Sequence, residues 1–219
     1  MPSGLTKEEI NRKLLHGLAV FLPMGIFYGS QLTGQTQLIV SIFFTILFLF
    51  SLVIDLIRLK AASVESFFSR YFGSMMRDTE KKQLTGATYV MGGSAICSWI
   101  ALYGLKGTAC VLVALTLFIL GDAIAALVGK AIGRIKVGDK TLEGSIGCFV
   151  FGVLFSLLVF PILPGFQDAW GGPFSIPQII FISASVSLLE LFSIRVGTLT
   201  LNDNLYVPAV VSLLAIFVF

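Results

Sequence analysis

The sequence predicts an all-α fold: a polytopic membrane helix bundle of about seven transmembrane helices, with one further amphipathic helix in the cytoplasmic interface. Three observations lead there. First, 56% of the 219 residues are hydrophobic and only 12% are charged, where a soluble domain carries roughly 25% charged residues. Second, apolar runs follow one another along the whole chain, and they are long enough to cross about 30 Å of hydrocarbon, which takes roughly 20 helical residues. They leave no room for a separate soluble domain, so residues 1–219 read as a single unit. Third, the cations are sorted. With the N-terminus inside, every Lys and Arg except Lys106 falls in an inner segment, which satisfies the positive-inside rule at every loop.

Taken in order, the polar opening MPSGLTKEEINRKLLH does not resemble a cleavable signal. Spans are expected at 14–31, 36–57, 84–103, 107–129, 142–163, 176–192 and 204–219. The last is short, about 24 Å long at the helical rise. Between the second and third spans, Val64, Phe67, Phe68, Tyr71, Phe72, Met75 and Met76 recur at helical spacing. Glu65, Ser66, Ser69, Arg70 and Ser74 lie between them, so the segment is either an interfacial helix or a helix packed under the bundle. Gly25 and Gly29, and Ala125, Gly129 and Gly133, are four apart, as in close helix contacts in lipid. The turn-rich stretch 161–177 is an outer loop. Cys97, Cys110 and Cys148 all fall in spans. An odd number of buried thiols argues against a disulfide framework and for small packing residues.

Charged side chains in hydrocarbon are costly and mark function by default. Asp55, Asp122, Glu143 and Glu190 lie within or at the ends of spans, and Asp203 sits beside the last one. The topology places all five toward the cytoplasmic half, with Arg12, Lys13, His16 and the basic loop 130–140. The other half holds only Lys106 and Asp168. That distribution counts against a transporter, whose polar groups belong near mid-membrane with access from both sides.

Asp122 stands out. At 100° per residue, Ala125, Ala126, Gly129 and Gly133 lie within about 60° of it, so it faces a groove of missing side chains open to a ligand or another helix. It either pairs with a buried cation to hold the bundle or takes part in chemistry. The loop GKAIGRIKVGDKTLEGS joins Gly129, Gly133, Gly138 and Gly144 to Lys130, Arg134, Lys136 and Lys140. Backbone N–H groups and cations together suit phosphate, although the spacing is not that of a Walker motif and cytoplasmic cations also set topology. Arg12, Lys13 and His16 share a helical turn, where the two cations reach lipid phosphates equally well and a lone histidine is ordinarily structural. Asp203 and Asn204 begin the last span, where capping is the ordinary role and metal or nucleotide contact the functional one.

The ordered set RKLLH (12–16), TGATY (85–89), GDAIAALVGKAIGR (121–134), KTLEGS (140–145), Glu190 and DNLYVP (203–208) is more specific than any of its parts. Through it the chain resembles the polyprenol kinase family of dolichol kinases, phytol kinases and CTP-dependent diacylglycerol kinases. The resemblance implies an integral membrane enzyme that phosphorylates the hydroxyl of a membrane lipid alcohol at the cytoplasmic interface. CTP is then the donor, with Mg2+ or another divalent cation. Matched by position, Arg12, Lys13, Asp122 and Gly129 fall where the family requires them, and Lys140, Glu143 and Asn204 match further shared positions.

The resemblance therefore implies Asp122, Glu143 and Lys140 as catalytic residues. It implies Arg12, Lys13, Gly129, Lys140 and Asn204 as phosphate or nucleotide contacts, to which the reading of the basic loop adds Lys130, Gly133, Arg134 and Gly144. Asp122, Glu190 and Asp203 are the metal candidates, Asp122 being ligand or general base. The partners implied are the bilayer, a lipid alcohol (polyprenol or dolichol, phytol, or diacylglycerol) and a nucleoside triphosphate, with no nucleic acid. The family is also similar to membrane phosphatidate cytidylyltransferases, which release pyrophosphate where a kinase releases CDP.

Overall fold

The computed structural model describes residues 16–73, 76, 78–192, 195–196 and 199–219. Arg12 and Lys13 lie outside the described residues. The chain forms a bundle around one central helix, α5 (Leu105–Ile132), in which every residue from Gly107 to Ile119 is buried. A helix that is apolar all round belongs inside a bundle. By contrast α2 (Gln37–Lys60) leaves most of its apolar length exposed.

Close neighbours meet α5 through small residues. On α6 (Leu142–Leu158) a side chain on Gly144 would lie 2.5 Å from the Ala125 carbonyl, and one on Gly129 would lie 2.5 Å from Thr141 Oγ1. Higher up, Gly121 faces Cys148. Small residues let helix backbones approach in lipid, so the groove expected beside Asp122 is largely filled by α6. Helix α8 (Ile176–Leu191) crosses α6 at a serine clasp, where Ser145 Oγ and Ser187 Oγ lie 2.7 Å apart. Helix α9 (Asp203–Val218) fills the space between α5, α8 and α4 (Gly86–Ile100). Its Tyr206 hydroxyl donates to the Leu189 carbonyl at 3.1 Å.

The remaining layer is built on α1 (Phe21–Thr33), α2 and α4 (Gly86–Ile100). Gly25 and Gly29 seat Phe44 and Val40 of α2, as the spacing predicted. Where α2 meets the start of α4, Asp55 and Arg58 are buried at 2% and 1% exposure. Asp55 Oδ2 accepts from Thr85 N (2.7 Å), Thr85 Oγ1 (2.8 Å) and Thr88 Oγ1 (2.7 Å), while Oδ1 takes Arg58 Nε at 2.9 Å. Arg58 Nη2 donates to the Gln83 carbonyl at 2.7 Å. The carboxylate thus caps α4 at its positive end, and TGATY is the sequence of that cap.

A helix overlaps each of the seven expected spans, but among the described residues three stretches are long and apolar enough to cross a membrane: α2, α5 and Leu142–Ile162. After a break in helical geometry at Ala61, α3 (Ala62–Phe72) carries no buried residue among 62–71, whose burial is described, and leaves Phe67 and Tyr71 exposed, while Ser74 and Met75 of the expected amphipathic segment lie outside the described residues. The stretch 161–177 departs from a plain loop: it contains a short helix, α7 (Phe166–Trp170), whose Phe166 and Trp170 are buried against Phe160 and Phe174. Two hairpins depart from a purely helical fold, β1 (Lys136–Val137) with β2 (Lys140–Thr141), and β3 (Arg195–Val196) with β4 (Leu199–Thr200). Gly138 opens the first hairpin's turn at φ +59, a left-handed conformation that glycine takes without steric cost. Cys97, Cys110 and Cys148 are free and buried.

Candidate active site

Four polar side chains meet where α5, α8 and α9 converge on the first hairpin. Asp122, Glu190 and Asp203 each present a carboxylate oxygen within 4.8 Å of the others. Lys140 Nζ reaches into this group, 2.6 Å from Glu190 Oε1 and 2.8 Å from Asp203 Oδ2, and also donates to the Glu190 carbonyl. On the other side of Asp122, His16 Nε2 lies 3.5 Å from Oδ2.

Local sequence explains each placement. Lys140 ends a two-residue hairpin whose register pairs Val137 with Lys140, and Thr141 then caps α6 by accepting from Gly144 N at 3.2 Å. That short turn fixes the lysine at the mouth of the bundle. Asp203 opens α9, whose cap is Asn202, with Oδ1 accepting from Asn204 N at 3.1 Å. Glu190 belongs to the last turn of α8 and is 3% exposed. Burial works against the charge on Lys140, but Asp203 and Glu190 outweigh it and hold the ammonium above its ordinary range. The site therefore carries one fixed cation among three acids.

Depth follows from the helical rise of about 1.5 Å per residue. Asp122 lies seventeen residues from Leu105 on α5, Glu190 fourteen from Ile176 on α8, and Asp203 fifteen from Val218 on α9. All three therefore lie about 21–26 Å from the far end of their helices. Were those far ends set at one surface of a hydrocarbon layer of about 30 Å, the cluster would lie several ångströms below the other.

Other candidate residues are placed elsewhere or in another role. Glu143 turns to the loop, where both its oxygens accept from Ile135 N, at 3.1 and 3.2 Å. Gly129, Gly133 and Gly144 sit in the α5–α6 contact, and the Gly144 N–H is taken by Thr141. Lys130, in the last turn of α5, and Arg134, on the loop that follows, are exposed. Asn204 caps locally, its Nδ2 donating to Asn202 Oδ1 at 3.0 Å. Asp55, grouped in the sequence with the other carboxylates, belongs instead to the α4 cap.

Two features escaped the sequence. The pairing of His16 with Asp122 joins motifs more than a hundred residues apart, and its only signal was that His16 is the sole histidine in the chain. The seat of α9 on Gly93 of α4 left no motif at all.

The donor set is chemically specific. Three carboxylates in one cluster form an all-oxygen set, the kind that suits hard divalent cations such as Mg2+. A helix bundle holding such a cluster just under one surface is the architecture of a membrane enzyme site. The chain belongs to the cytidylyltransferase family, whose pattern matches residues 4–202.

Among curated proteins, a CTP-dependent diacylglycerol kinase 1 of Schizosaccharomyces pombe is 28% identical over 210 residues, covering 93% of this chain and 90% of its own. An uncharacterized protein of Rickettsia prowazekii is 27% identical over 214 residues, covering 91% and 89%. A probable chloroplastic phytol kinase 1 of Glycine max is 32% identical over 113 residues, covering 49% of this chain and 36% of its own. No solved structure matches.

Proposed function

We propose that this protein is a CTP-dependent lipid alcohol kinase, one unit of seven membrane-spanning helices with its N-terminus and active site on the cytoplasmic side and α3 in the adjoining interface. The acidic cluster around Lys140 carries this reading. It brings together, from three helices and a hairpin, the residues that phosphoryl transfer between a buried acceptor and a water-soluble donor requires. The kinase names of the relatives support it, and so does the cation sorting along the sequence.

In this reaction the lipid hydroxyl oxygen forms a bond to the γ-phosphorus of CTP while the bond from that phosphorus to the β–γ bridging oxygen breaks, so CDP leaves. Asp122, Glu190 and Asp203 would hold a divalent cation, which would supply positive charge to offset that of the donor phosphates. Asp122, the member next to His16, faces the arriving hydroxyl, orients it and accepts its proton. Lys140 supplies fixed positive charge beside the transferred group. Lys130 and Arg134, with Arg12 and Lys13, draw the triphosphate from the cytoplasm. Glu143 acts through the loop that carries these cations. The position of the cluster below the surface lets a hydroxyl arrive from the bilayer and a nucleotide from water.

The family description favours one competing reaction, transfer of a cytidylyl group to a lipid phosphate. The products separate the two. Detergent-purified protein given CTP and Mg2+ with either a panel of lipid alcohols or the corresponding lipid monophosphates should release CDP and a lipid monophosphate from the alcohols, and no pyrophosphate from the monophosphates. Release of pyrophosphate with a CDP-lipid, and no CDP, would establish the cytidylyltransferase reading and overturn the kinase.

A further inference from the structure

We infer that Gly93, in the middle of α4, is a positioning residue that sets Asp203 in the acidic cluster. Three observations meet there. A side chain on Gly93 would collide with the carbonyl oxygen of Asn204 and lie 3.3 Å from its carbon and 3.4 Å from Leu205 Cα. The obstacle is main chain, which cannot rotate away as a flexible side chain can. Pro208 sits inside α9, one helical turn beyond Asn204. It has no N–H to give the Asn204 carbonyl, and its ring pushes that carbonyl outward. The displaced carbonyl lies against the bare Cα of Gly93, where a weak Cα–H contact is available.

Asn204 is bonded directly to Asp203, so whatever seats the Asn204 peptide seats Asp203. The next glycine, Gly92, has a different surrounding. A side chain there would meet only the outer atoms of Leu205 (Cδ1, 3.0 Å) and the Phe48 ring (3.0 Å). Helix α4 is itself anchored, because Asp55 caps its first turn and Arg58 holds Gln83. The position of Asp203 is thus handed from α2 through α4 to α9 by two main-chain seats. The inference rests on the cation-binding role proposed for the cluster.

The test is Mn2+ binding by the full chain in detergent, read as free Mn2+ by electron paramagnetic resonance, with and without CTP. Gly93→Ala should weaken Mn2+ binding about tenfold to a hundredfold, as outer-shell changes at metal sites do. The Mn2+ concentration for half-maximal turnover should rise with it. Gly92→Ala should shift both much less. Pro208→Ala gives the Asn204 carbonyl an N–H within its own helix and should weaken binding in the same direction. It decides the matter if Gly93→Ala cannot be recovered folded. Wild-type affinity in the folded Gly93→Ala protein, or in Pro208→Ala where the other is lost, overturns the positioning role and leaves the metal site standing. Absence of Mn2+ binding by the wild type, with or without CTP, overturns both.

Discussion

Lys140 and Asp203 lie 2.8 Å apart although 63 residues separate them in the chain. The same ammonium is 2.6 Å from Glu190, whose side chain is only 4% exposed. This lysine is the charge that makes a buried glutamate tolerable, so its removal leaves an uncompensated acid. Lys140→Met should cost about 3 kcal/mol, the low end for breaking a buried pair, since Lys140 itself is 23% exposed. If the cluster takes a divalent cation, millimolar Mg2+ should restore part of that loss, because a ligand bound only by the native form stabilises it. Thermal unfolding in detergent with and without MgCl2 measures both effects. Lys130→Met, in the exposed last turn of α5, should change neither.

The α5–α6 contact gives a second prediction. Gly144 faces the Ala125 carbonyl at 2.5 Å from where a Cβ would stand, and its N–H is already taken by Thr141. Gly144→Ala should force the two helices apart, at about 1–3 kcal/mol for an overpacked site. The folded fraction should keep its apparent affinity for CTP. A rise in the CTP requirement with unchanged thermal stability would instead assign this glycine to the phosphate cradle suggested by the loop sequence.

How far the sequence speaks depends on the range of the interaction. Helix positions are local: apolar runs of the sequence coincide with α1, α2, α4, α5, α6, α8 and α9, and among the described residues α2, α5 and the stretch Leu142–Ile162 have the length and apolarity that hydrocarbon demands. The three free cysteines and the Gly25–Gly29 contact follow from equally local rules. The meeting of Asp122, Glu190 and Asp203 is different. Their residue types and positions were legible as costly charges in apolar surroundings, but spacing along the chain cannot say that three helix ends converge. Asp55 shows the limit, since by composition it is the equal of Asp122, and only the fold reveals that its oxygens are spent on Thr85, Thr88 and Arg58. The glycines after Asp122 show it again. A stripe of small residues reads the same whether a ligand or a helix fills it, and here α6 does.

Sidedness is open to a direct experiment. Gln167 is placed on the short helix α7 and Lys136 on the first hairpin, and the cation sorting assigns them to opposite faces. In intact cells an impermeant thiol reagent should label Gln167→Cys and leave Lys136→Cys untouched until the membrane is opened. The reverse pattern would detach the basic loop and the acidic cluster from the cytoplasm, and with them the supply of CTP.

Two aspartates, Asp55 buried and Asp122 half-buried, provide the sharpest separation of chemistry from architecture. Asp55 accepts three hydrogen bonds on Oδ2 and one from Arg58 on Oδ1, so its work is finished within the fold. Asp122 has His16 at 3.5 Å and shares its cluster with two further acids. Asp55→Asn cannot accept on both sides as a carboxylate does and leaves the Arg58 charge buried without its partner. It should destabilise the bundle by about 3–5 kcal/mol, while the molecules that remain folded turn over at near the wild-type rate. Asp122→Asn keeps the shape and removes the charge, relieving repulsion among three acids. It should fold as well as the wild type or better, yet lose at least about a hundredfold in turnover, the scale on which a general base contributes. Both variants are compared by CTP-dependent phosphorylation per monodisperse molecule, set beside their melting temperatures. Normal specific activity in Asp122→Asn together with a lowered melting point would make Asp122 a structural partner of His16. The catalytic carboxylate would then have to be Glu190 or Asp203, the two acids that Lys140 already holds.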